Sequence, residues 1–253
     1  MRLKDKIAIV TGGGSGIGHA TCLTFAREGA YVVVADRNAE AAAKVAEALK
    51  KAGGKGEALA VNVADSKAVK AMVEDVAARH GKLDILVNNA GYGIAGTVVN
   101  TTEEDWDALM AVNVNGVFYG CKHAIPIMEK QGGGVIVNTA STVSKVGIPN
   151  RAAYCASKGA VASLTRAMAL DHVDANIRVN CVAPGTIESP YFDEIFRKSN
   201  DAAALRDGLE KRQAMKRLGK PQEIANAILF LASEESSFCT GSMMLVDGGW
   251  TAK

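Results

Sequence analysis

The stretch Lys6-Ile-Ala-Ile-Val-Thr11, followed by Gly12-Gly-Gly-Ser-Gly-Ile-Gly18, joins an apolar run of strand length to a cluster of glycines. Residues 19–28 then have helical spacing of apolar residues, and Gly29 ends the pattern. A strand, a glycine loop and a helix in this order favour a phosphate-binding turn, because glycines let the backbone approach a pyrophosphate at the free N–H groups of the helix start. The spacing differs from Gly-x-Gly-x-x-Gly, and glycine clusters are also typical of surface turns, so the rest of the chain must decide.

The next strand, Tyr31-Val-Val-Val-Ala-Asp36, ends in a carboxylate 18 residues beyond Gly18. An acidic residue near this distance accepts hydrogen bonds from the ribose hydroxyls of adenosine and repels a 2′-phosphate. Asp36 therefore predicts NAD rather than NADP, although the adjacent Arg37 suits a 2′-phosphate. The alternative interpretation is that Asp36 caps a helix over residues 39–52, and the two interpretations are compatible.

Strand-length apolar runs alternate with helical patterns along the rest of the chain. Further strands are predicted over residues 57–63, 84–88, 133–138, 176–182 and 242–247. One long helix is expected from about residue 102 to 128 and another to about residue 174. Residues 187–218 are polar and interrupt the alternation, so we interpret them as a helical lid over a pocket. The chain is expected to form one α/β domain over residues 1–253, a doubly wound parallel sheet of seven strands with helices on both faces.

The carboxyl ends of parallel strands share one edge of the sheet, which is where such sheets bind ligands. Polar and glycine-rich segments follow several of the predicted strands and are therefore expected to meet there. These segments are Gly12–Gly18, Asp36, Asn62, Asn88–Gly91, Ser141 and Pro184–Gly185.

Composition narrows the class of protein. The formal net charge of +2 gives no reason to expect a nucleic acid partner, and no apolar run approaches the length of a membrane span. The N-terminal residues lack the apolar core of a secretory signal, so a cytoplasmic location is expected. The five scattered cysteines form no Cys-x-x-Cys pair, which argues against a disulfide framework or a metal site and favours small buried apolar roles.

Tyr154 and Lys158 are four residues apart in Tyr154-Cys-Ala-Ser-Lys158, so a helix would place both side chains on one face. A nearby cation favours the phenolate and lowers the pKa of the phenol, which would let Tyr154 exchange a proton with a substrate. Ser141, thirteen residues upstream of Tyr154, could hold the same substrate oxygen. Such a pair in isolation is more often a packed tyrosine and a solvated lysine, and only its surroundings favour chemistry.

Taken together, these motifs resemble the short-chain dehydrogenase/reductase family over essentially the full chain. The matching segments are Thr11–Gly18, Asn88–Gly91, Asn113, Ser141, Tyr154 with Lys158, and Pro184–Gly185. The resemblance implies a Rossmann-like fold and an NAD(H)-dependent oxidoreductase that interconverts a secondary alcohol and a ketone. It also implies a homotetramer built on the two long helices.

The resemblance implies a role for each matching residue. Tyr154 would be the general acid/base, Ser141 would orient the substrate oxygen, and Lys158 would bind the nicotinamide ribose and lower the pKa of Tyr154. Asn113 would hold a water that links Lys158 to solvent. Implied cofactor contacts are Gly12, Ser15, Gly16, Ile17, Gly18, Asp36, Arg37, Asn62, Val63, Asn89, Ala90, Gly91, Tyr154, Lys158, Pro184, Gly185, Ile187 and Ser189. Asn62 and Ser189 stand where the family usually has Asp and Thr.

A weaker resemblance concerns the substrate. Lys211-Arg-Gln213 and Asp247-Gly-Gly-Trp250 are similar to the cytosolic (R)-3-hydroxybutyrate dehydrogenase branch and to related sugar-acid dehydrogenases. In that branch arginines hold a carboxylate, which suits the paired hydrogen bonds of a guanidinium. The implied substrate contacts are Ser141, Arg151, Tyr154, Arg197 and Arg212, and the implied substrate is a small hydroxy acid or sugar acid. The alternative is that these arginines are solvated helix charges.

Three other functions remain open. A neutral sugar or polyol dehydrogenase would use the same catalytic set. An acyl-carrier-protein reductase is disfavoured, because its basic docking residues are replaced by Gln131-Gly-Gly and Asp171-His-Val-Asp-Ala, and because Asp36 opposes NADPH. A non-catalytic dinucleotide-binding protein would be expected to lose the set of Asn113, Ser141, Tyr154 and Lys158, which is intact here.

Overall fold

The computed structural model describes residues 1–252. The seven predicted strands all form, and every neighbouring pair is parallel in the order β3-β2-β1-β4-β5-β6-β7. The strands are β1 (Ile7–Thr11), β2 (Tyr31–Asp36), β3 (Lys55–Ala60), β4 (Ile85–Asn88), β5 (Gly134–Thr139), β6 (Ile177–Pro184) and β7 (Met243–Val246). The predicted doubly wound sheet is therefore confirmed.

Helices cover both faces of this sheet. They are α1 (Gly16–Arg27), α2 (Ala39–Lys51), α3 (Ser66–His80), α4 (Glu103–Met110), α5 (Gly116–Lys130), α6 (Ala152–Asp171), α7 (Pro190–Lys198), α8 (Ala202–Glu210) and α9 (Pro221–Ala232). Strand side chains alternate between two cores: Ile7 and Ile9 pack with α3, α5 and α6, while Ala8 and Val10 pack with α1, α2 and α9. Continuous burial along β1 follows, because both faces of a parallel sheet are covered.

The predicted long helix over residues 102–128 is interrupted. Thr102 caps α4 as expected, accepting a hydrogen bond from Asp105 N at 3.1 Å, but residues 111–115 form a π-helical turn before α5 begins at Gly116. Asn113 lies in this turn and is fully buried. A π turn widens a helix locally and is frequent at functional sites, so the mid-helix asparagine marks a real irregularity.

The segment predicted as a lid, residues 187–218, contains α7 and α8 and contributes no strand to the sheet. Its two ends are hydrogen-bonded to each other, because Gly219 N donates to Thr186 O at 2.9 Å and Glu188 N donates to Gly219 O at 2.8 Å. Ser189 caps α7 and Asp201 caps α8, because their side chains accept hydrogen bonds from backbone N–H groups of the first turns. Both ends of this segment therefore lie at one place, just beyond the carboxyl end of β6.

Cys22, Cys121 and Cys181 are buried, as expected of small apolar residues, whereas Cys155 and Cys239 are partly exposed. Burial raises the pKa of the Cys121 and Cys181 thiols to about 12 and about 11. A bilayer-spanning helix would need more uninterrupted apolar length than any helix of residues 1–252 offers.

Candidate active site

The glycine loop between β1 and α1 is built for close backbone approach. Gly12 has φ +63°, a left-handed conformation that favours glycine, and a Cβ at Gly18 would collide with the carbonyl oxygen of Gly12. Helix α1 begins at Gly16, and the Ser15 side chain makes no capping hydrogen bond to it. A Cβ at Gly16 would meet nothing within 4 Å, so the loop has open space at the start of α1, where the first N–H groups of a helix lack intrahelical partners. A pyrophosphate fits this loop.

A second segment, after β4, is tied to the glycine loop. Asn89 N and Ala90 N both donate to Thr11 Oγ1, at 3.0 and 3.1 Å. The Asn89 side chain donates to the carbonyl oxygens of Thr11 and Gly12 at 3.1 and 3.3 Å. The predicted meeting of the segments after β1 and β4 is therefore found in the structure.

Asp36 lies at the end of β2 beside the same loop. Its Oδ2 accepts a hydrogen bond from Gly14 N at 3.0 Å, and its Oδ1 accepts one from Asn38 N at 2.9 Å. The interpretation of Asp36 as a helix cap is wrong, because Asn38 caps α2 by accepting from Ala41 N at 3.0 Å. Asp36 therefore positions the glycine loop and keeps a carboxylate at its rim.

Other predicted cofactor residues also lie at the carboxyl edge. Arg37 follows Asp36 and is exposed, while Asn62 is exposed and Val63 is buried just beyond β3. Asn62 makes a local turn, since its Oδ1 accepts from Ala64 N at 3.1 Å. Strand β3 ends at Ala60 rather than at residue 63, because its pairing with β2 stops opposite Asp36.

Lys158 and Asn113 converge on Gly91. A Cβ at Gly91 would lie 3.0 Å from Asn113 Oδ1 and 3.4 Å from Lys158 Nζ. Lys158, only 5% exposed, donates from Nζ to Thr139 O at 2.8 Å. Burial is the main cause that lowers the pKa of Lys158 to about 8. A buried ammonium and an amide thus lie side by side at the ends of β4 and β5.

The side chain of Asn113 is held from two sides. Its Oδ1 accepts from Tyr92 N at 3.0 Å, and its Nδ2 donates to Tyr92 O at 2.9 Å and to Ser157 Oγ at 3.1 Å. The Ser157 hydroxyl in turn donates to Tyr154 O at 2.9 Å. The π-helical turn is thereby linked to the loop after β4 and to the backbone of α6.

Tyr154 lies on α6 with its ring against the loop after β4, where a Cβ at Gly93 would be 3.4 Å from Tyr154 Cδ2. Burial is the largest cause that raises the pKa of the Tyr154 phenol, while a hydrogen bond with Ser141 and the charge of Arg151 lower it. Lys158 Nζ lies 5.9 Å from the centroid of the Tyr154 ring. The expected lowering of the phenol pKa by Lys158 is therefore not the governing effect, because burial of both groups outweighs their proximity.

Two serines that belong to no motif tie the site together. Ser144, in the turn that follows Ser141, donates from its hydroxyl to Lys158 O at 2.7 Å. Ser157 links Asn113 to α6, as described above. Neither residue was predicted, and the only signal in the sequence is polarity next to a motif residue.

The loop after β6 supplies the remaining predicted cofactor residues. Pro184 ends the strand and is buried, and Gly185 packs so closely that a Cβ there would lie 2.9 Å from Asp247 Cα. Ile187 is buried and bridges to Gly219. Ser189 is partly exposed and caps α7 by accepting from Phe192 N at 3.4 Å.

The three predicted substrate arginines have different settings. Arg151 precedes α6, and the segment carrying it pairs with Gly96. Arg212 is exposed, and its guanidinium carbon lies 5.7 Å from the centroid of the Trp250 ring. Partial desolvation of its guanidinium and, to a smaller extent, the charge of Arg151 lower the pKa of Arg212. Arg197 is exposed on α7, and no contact described in residues 1–252 joins it to Ser141.

Comparison with known proteins agrees with this geometry. A family model described as enoyl-(acyl carrier protein) reductase matches residues 12–251. A 3-oxoacyl-(acyl-carrier-protein) reductase from Thermotoga maritima is 43% identical over 252 residues, covering 98% of this chain and 99% of that protein. A cyclohexanol dehydrogenase from Acinetobacter sp. is 41% identical over 255 residues, covering 100% of this chain and 97% of that protein.

A crystal structure of a short-chain dehydrogenase/reductase from Burkholderia xenovorans has the same fold. Its TM-score is 0.97 at 37% sequence identity, and the match covers 100% of this chain and 98% of that chain. The protein therefore belongs to the short-chain dehydrogenase/reductase family, which confirms the resemblance found in the motifs. It is an NAD(P)-dependent oxidoreductase that acts on CH–OH groups.

Proposed function

We propose that the protein is an NAD(H)-dependent dehydrogenase that interconverts the secondary alcohol of a small hydroxy acid or sugar acid with the corresponding ketone. The observation that carries the proposal is the convergence of Lys158 Nζ and Asn113 Oδ1 on Gly91, with the Tyr154 ring against Gly93. This cluster lies where a ligand of a parallel sheet binds, beside a glycine loop that fits a pyrophosphate.

Tyr154 exchanges the substrate proton in this proposal. In the reduction direction its neutral phenol, the form that burial favours, donates a proton to the carbonyl oxygen. In the oxidation direction the phenolate takes the proton of the alcohol, and a protonated Lys158 stabilises that anion. Ser141 donates a hydrogen bond to the same substrate oxygen and fixes its position.

A bound nicotinamide dinucleotide supplies the hydride acceptor or donor. The backbone around Ser15, Gly16 and Ile17 would hold the pyrophosphate at the start of α1, with Asn62 and Val63 beside the adenine. Asn89, Ala90 and Gly91 would border the nicotinamide ribose, and Lys158 would bind its hydroxyls. Pro184, Gly185, Ile187 and Ser189 would border the nicotinamide.

Asp36 supports NAD over NADP. Its carboxylate is fixed at the rim of the glycine loop by Gly14 N and Asn38 N, and each of its oxygens can accept a further hydrogen bond. A 2′-phosphate at this position would meet a negative charge. The exposed Arg37 is adjacent and is free to turn toward solvent.

The substrate carboxylate is assigned to Arg151 and Arg212, with Arg197 as a more distant member of the same group. Arg151 directly precedes α6, three residues before Tyr154, and its charge lowers the pKa of both Tyr154 and Arg212. Within residues 1–252, no carboxylate lies within ion-pair distance of Arg151. An acid substrate would supply the missing anion.

Replacing the phenol tests the function. Tyr154→Phe keeps the ring and removes the hydroxyl, so the variant should fold and bind NADH with nearly unchanged affinity while turnover falls about 10²- to 10⁴-fold, the usual contribution of a general acid/base. Tyr119→Phe, on α5, removes a phenol elsewhere and should leave turnover unchanged. Turnover of Tyr154→Phe within a few-fold of the wild type would refute the assignment.

Removing one arginine tests the substrate class. Arg151→Ala should raise KM for a hydroxy acid about tenfold, as expected for loss of a hydrogen bond between charged groups, and should leave KM for the methyl ester of the same acid nearly unchanged. Arg166→Ala removes an exposed arginine from α6, the helix that Arg151 precedes, and serves as the matched control. Equal changes for acid and ester would exclude the carboxylate role.

A neutral secondary alcohol is the second candidate substrate. The similarity to a cyclohexanol dehydrogenase favours it, because that relative covers the whole chain. A steady-state screen with NAD over hydroxy acids, aldonic acids, free sugars and polyols separates the two, since only the first two carry a carboxylate.

We also propose a homotetramer in which α5 and α6 form an interface. Phe118 on α5 and Leu170 on α6 are large apolar side chains that are 45% and 77% exposed. Exposed apolar residues of this size on two adjacent helices favour association, because contact with a second copy removes them from water.

A further inference from the structure

The turn that follows β5 fixes the hydroxyl of Ser141. Residues 142–144 form a short 3₁₀ turn, in which Ser144 N donates to Ser141 O at 2.9 Å. The Ser141 hydroxyl oxygen accepts a hydrogen bond from Val143 N at 3.4 Å. Because this bond uses an acceptor position of the oxygen, the hydroxyl hydrogen remains available for a substrate oxygen or for the phenol of Tyr154.

The strand side of this turn is anchored to the sheet. Thr139 is the last residue of β5, and Ala140 N donates to Val182 O of β6 at 2.9 Å. Ser141 is therefore one residue away from backbone that the sheet holds. Its position relative to α6, the helix that carries Tyr154, depends on what holds the other end of the turn.

Ser144 holds that other end. Its hydroxyl donates to the main-chain carbonyl oxygen of Lys158 at 2.7 Å, one helical turn beyond Tyr154. A carbonyl oxygen has two lone pairs, so it can accept this bond together with the helical bond of α6. Lys158 is 5% exposed, and Ser144 is partly buried. The turn of Ser141 is thus joined directly to the backbone of the helix that it faces.

Lys158 is bonded at both ends by the same short segment of chain. Its Nζ donates to Thr139 O at 2.8 Å, and its main-chain oxygen accepts from Ser144 Oγ. These two contacts lie on either side of Ser141 in the sequence. The contact of Nζ depends on the protonation state of the lysine and on what else Nζ binds, whereas the contact of the main-chain oxygen depends on neither. Ser144 therefore keeps the turn on α6 in every state of the lysine.

The two threonines of this segment make no such link. The hydroxyl oxygens of Thr139 and Thr142 are buried and have no hydrogen-bond partner in the part of the chain that the structure describes. Thr142 therefore offers a matched control for Ser144, because valine has the same shape and replaces its hydroxyl without breaking a bond.

We propose that Ser144 is a positioning residue for the reaction, holding the turn of Ser141 against α6 through the Lys158 carbonyl so that the Ser141 hydroxyl faces the Tyr154 phenol. The inference rests on the proposed roles of Ser141, Tyr154 and Lys158, but on no particular substrate. Ser144 acts through the backbone and exchanges no proton itself. Its removal should therefore lower kcat and leave the binding of dinucleotide and substrate nearly unchanged.

The experiment uses 3-hydroxybutyrate, gluconate and cyclohexanol as probes with NAD, and continues with the probe that the wild type oxidises fastest. Ser144→Ala should lower kcat about tenfold, because a small displacement of a group that holds the reacting oxygen is costly in rate. KM and the Kd for NADH should stay within about twofold of the wild type. Ser144→Thr keeps the hydroxyl and should restore kcat, and Thr142→Val should leave kcat unchanged.

The pH dependence of kcat distinguishes positioning from a loss of stability. The hydrogen bond with Ser141 lowers the pKa of the Tyr154 phenol, against the larger effect of burial. If Ser144→Ala loosens this bond, the apparent pKa of the oxidation profile should rise by about half a pH unit. The other titratable groups that affect this phenol keep their side chains in the variant and are Arg151, Cys155 and Tyr191.

The outcomes separate a failure of the proposed function from a failure of this inference. A wild type that oxidises none of the probes, or a Tyr154→Phe variant that keeps its turnover, overturns both. If Tyr154→Phe is inactive and Ser144→Ala keeps the kcat of the wild type, the role of Ser144 alone is overturned. The same follows if Ser144→Ala loses turnover equally at every pH together with a lowered urea midpoint, or if Thr142→Val loses as much turnover as Ser144→Ala.

Discussion

At the scale of single residues, burial decides the state of the two groups that the sequence paired. Lys158 is 5% exposed and donates to the Thr139 carbonyl oxygen, and no carboxylate in the described chain forms an ion pair with it. Burial lowers the pKa of Lys158 to about 8 and raises that of Tyr154. The site therefore keeps a cation that is costly to bury, which is typical of residues retained for chemistry rather than for stability.

A stability measurement should reveal this cost. Below pH 8 Lys158 is charged in both the folded and the unfolded chain, and burial of this charge destabilises the fold. Between pH 8 and 10.5, the pKa of lysine in the unfolded chain, the folded chain has released the proton and the unfolded chain has not. The free energy of unfolding therefore rises with pH in this range. The shift corresponds to roughly 3 kcal/mol, offset in part by the bond to Thr139. Without dinucleotide, Lys158→Met should be more stable than the wild type at pH 7 in urea unfolding, and the difference should shrink by pH 10.

The control for that measurement is Lys50→Met, which changes an exposed lysine on α2. A difference between Lys158→Met and the wild type that stays constant from pH 7 to pH 10 would contradict the pKa of the buried ammonium. Loss of turnover in Lys158→Met is expected in either case, since the proposal assigns Lys158 to the site.

At the scale of secondary-structure elements, the sequence predicts whether a segment is a helix or a strand better than it predicts where that element is interrupted. The apolar spacing over residues 102–128 is continuous and predicts one helix, yet a π-helical turn divides it. Asn113 is held there by Tyr92, which is 21 residues away in the chain, and no local pattern contains that contact. Strand β3 is displaced for the same reason, because its bounds depend on pairing with β2 and not on its own residues.

The end of β2 and the glycine loop form one cofactor element, which Asp36→Ala should disturb. The variant loses the bond to Gly14 N and the charge that repels a 2′-phosphate, so kcat/KM with NAD should fall about tenfold, as for a hydrogen bond to a charged group, while kcat/KM with NADP rises. Initial rates with both cofactors measure the ratio. Asn38→Ala weakens only the cap of α2 and should leave the NAD-to-NADP ratio of kcat/KM unchanged. If Asp36→Ala also left this ratio unchanged, Asp36 would be excluded as the determinant of cofactor preference.

At the scale of the whole molecule, the parallel order of the sheet explains why the candidate site was largely predictable. Motifs at the ends of β1, β2, β4, β5 and β6 must share one edge once the strands are parallel, and they do. The contacts across that edge were not predictable. Ser144 against Lys158 O and Ser157 against Asn113 depend on how α6 settles on the sheet, which no single segment of the sequence determines.

Assembly should respond to charge on the exposed face of α6. Leu170→Glu places a carboxylate at a side chain that is 77% exposed, so monomer stability should be nearly unchanged. The proposed tetramer should be weakened, because its interface would have to bury this charge. Light scattering after gel filtration should show a smaller species. Ala43→Glu adds the same charge on the exposed side of α2 and should stay tetrameric. A tetrameric Leu170→Glu would contradict an interface on α6.

The two ends of the segment 187–218, between β6 and α9, are hydrogen-bonded to each other, and this has a consequence for engineering new substrate selectivity. Because Thr186 and Glu188 are hydrogen-bonded to Gly219, the segment 187–218 begins and ends at one point of the fold. It is therefore suited to transplantation between homologues without disturbing the sheet. The turn around Gly248 is hydrogen-bonded to Met215 of this segment, however, so the turn should be transplanted together with the segment. A chimera that exchanges both pieces should inherit the donor's preferences, whereas one that exchanges the first piece alone should be a poorer catalyst than either parent.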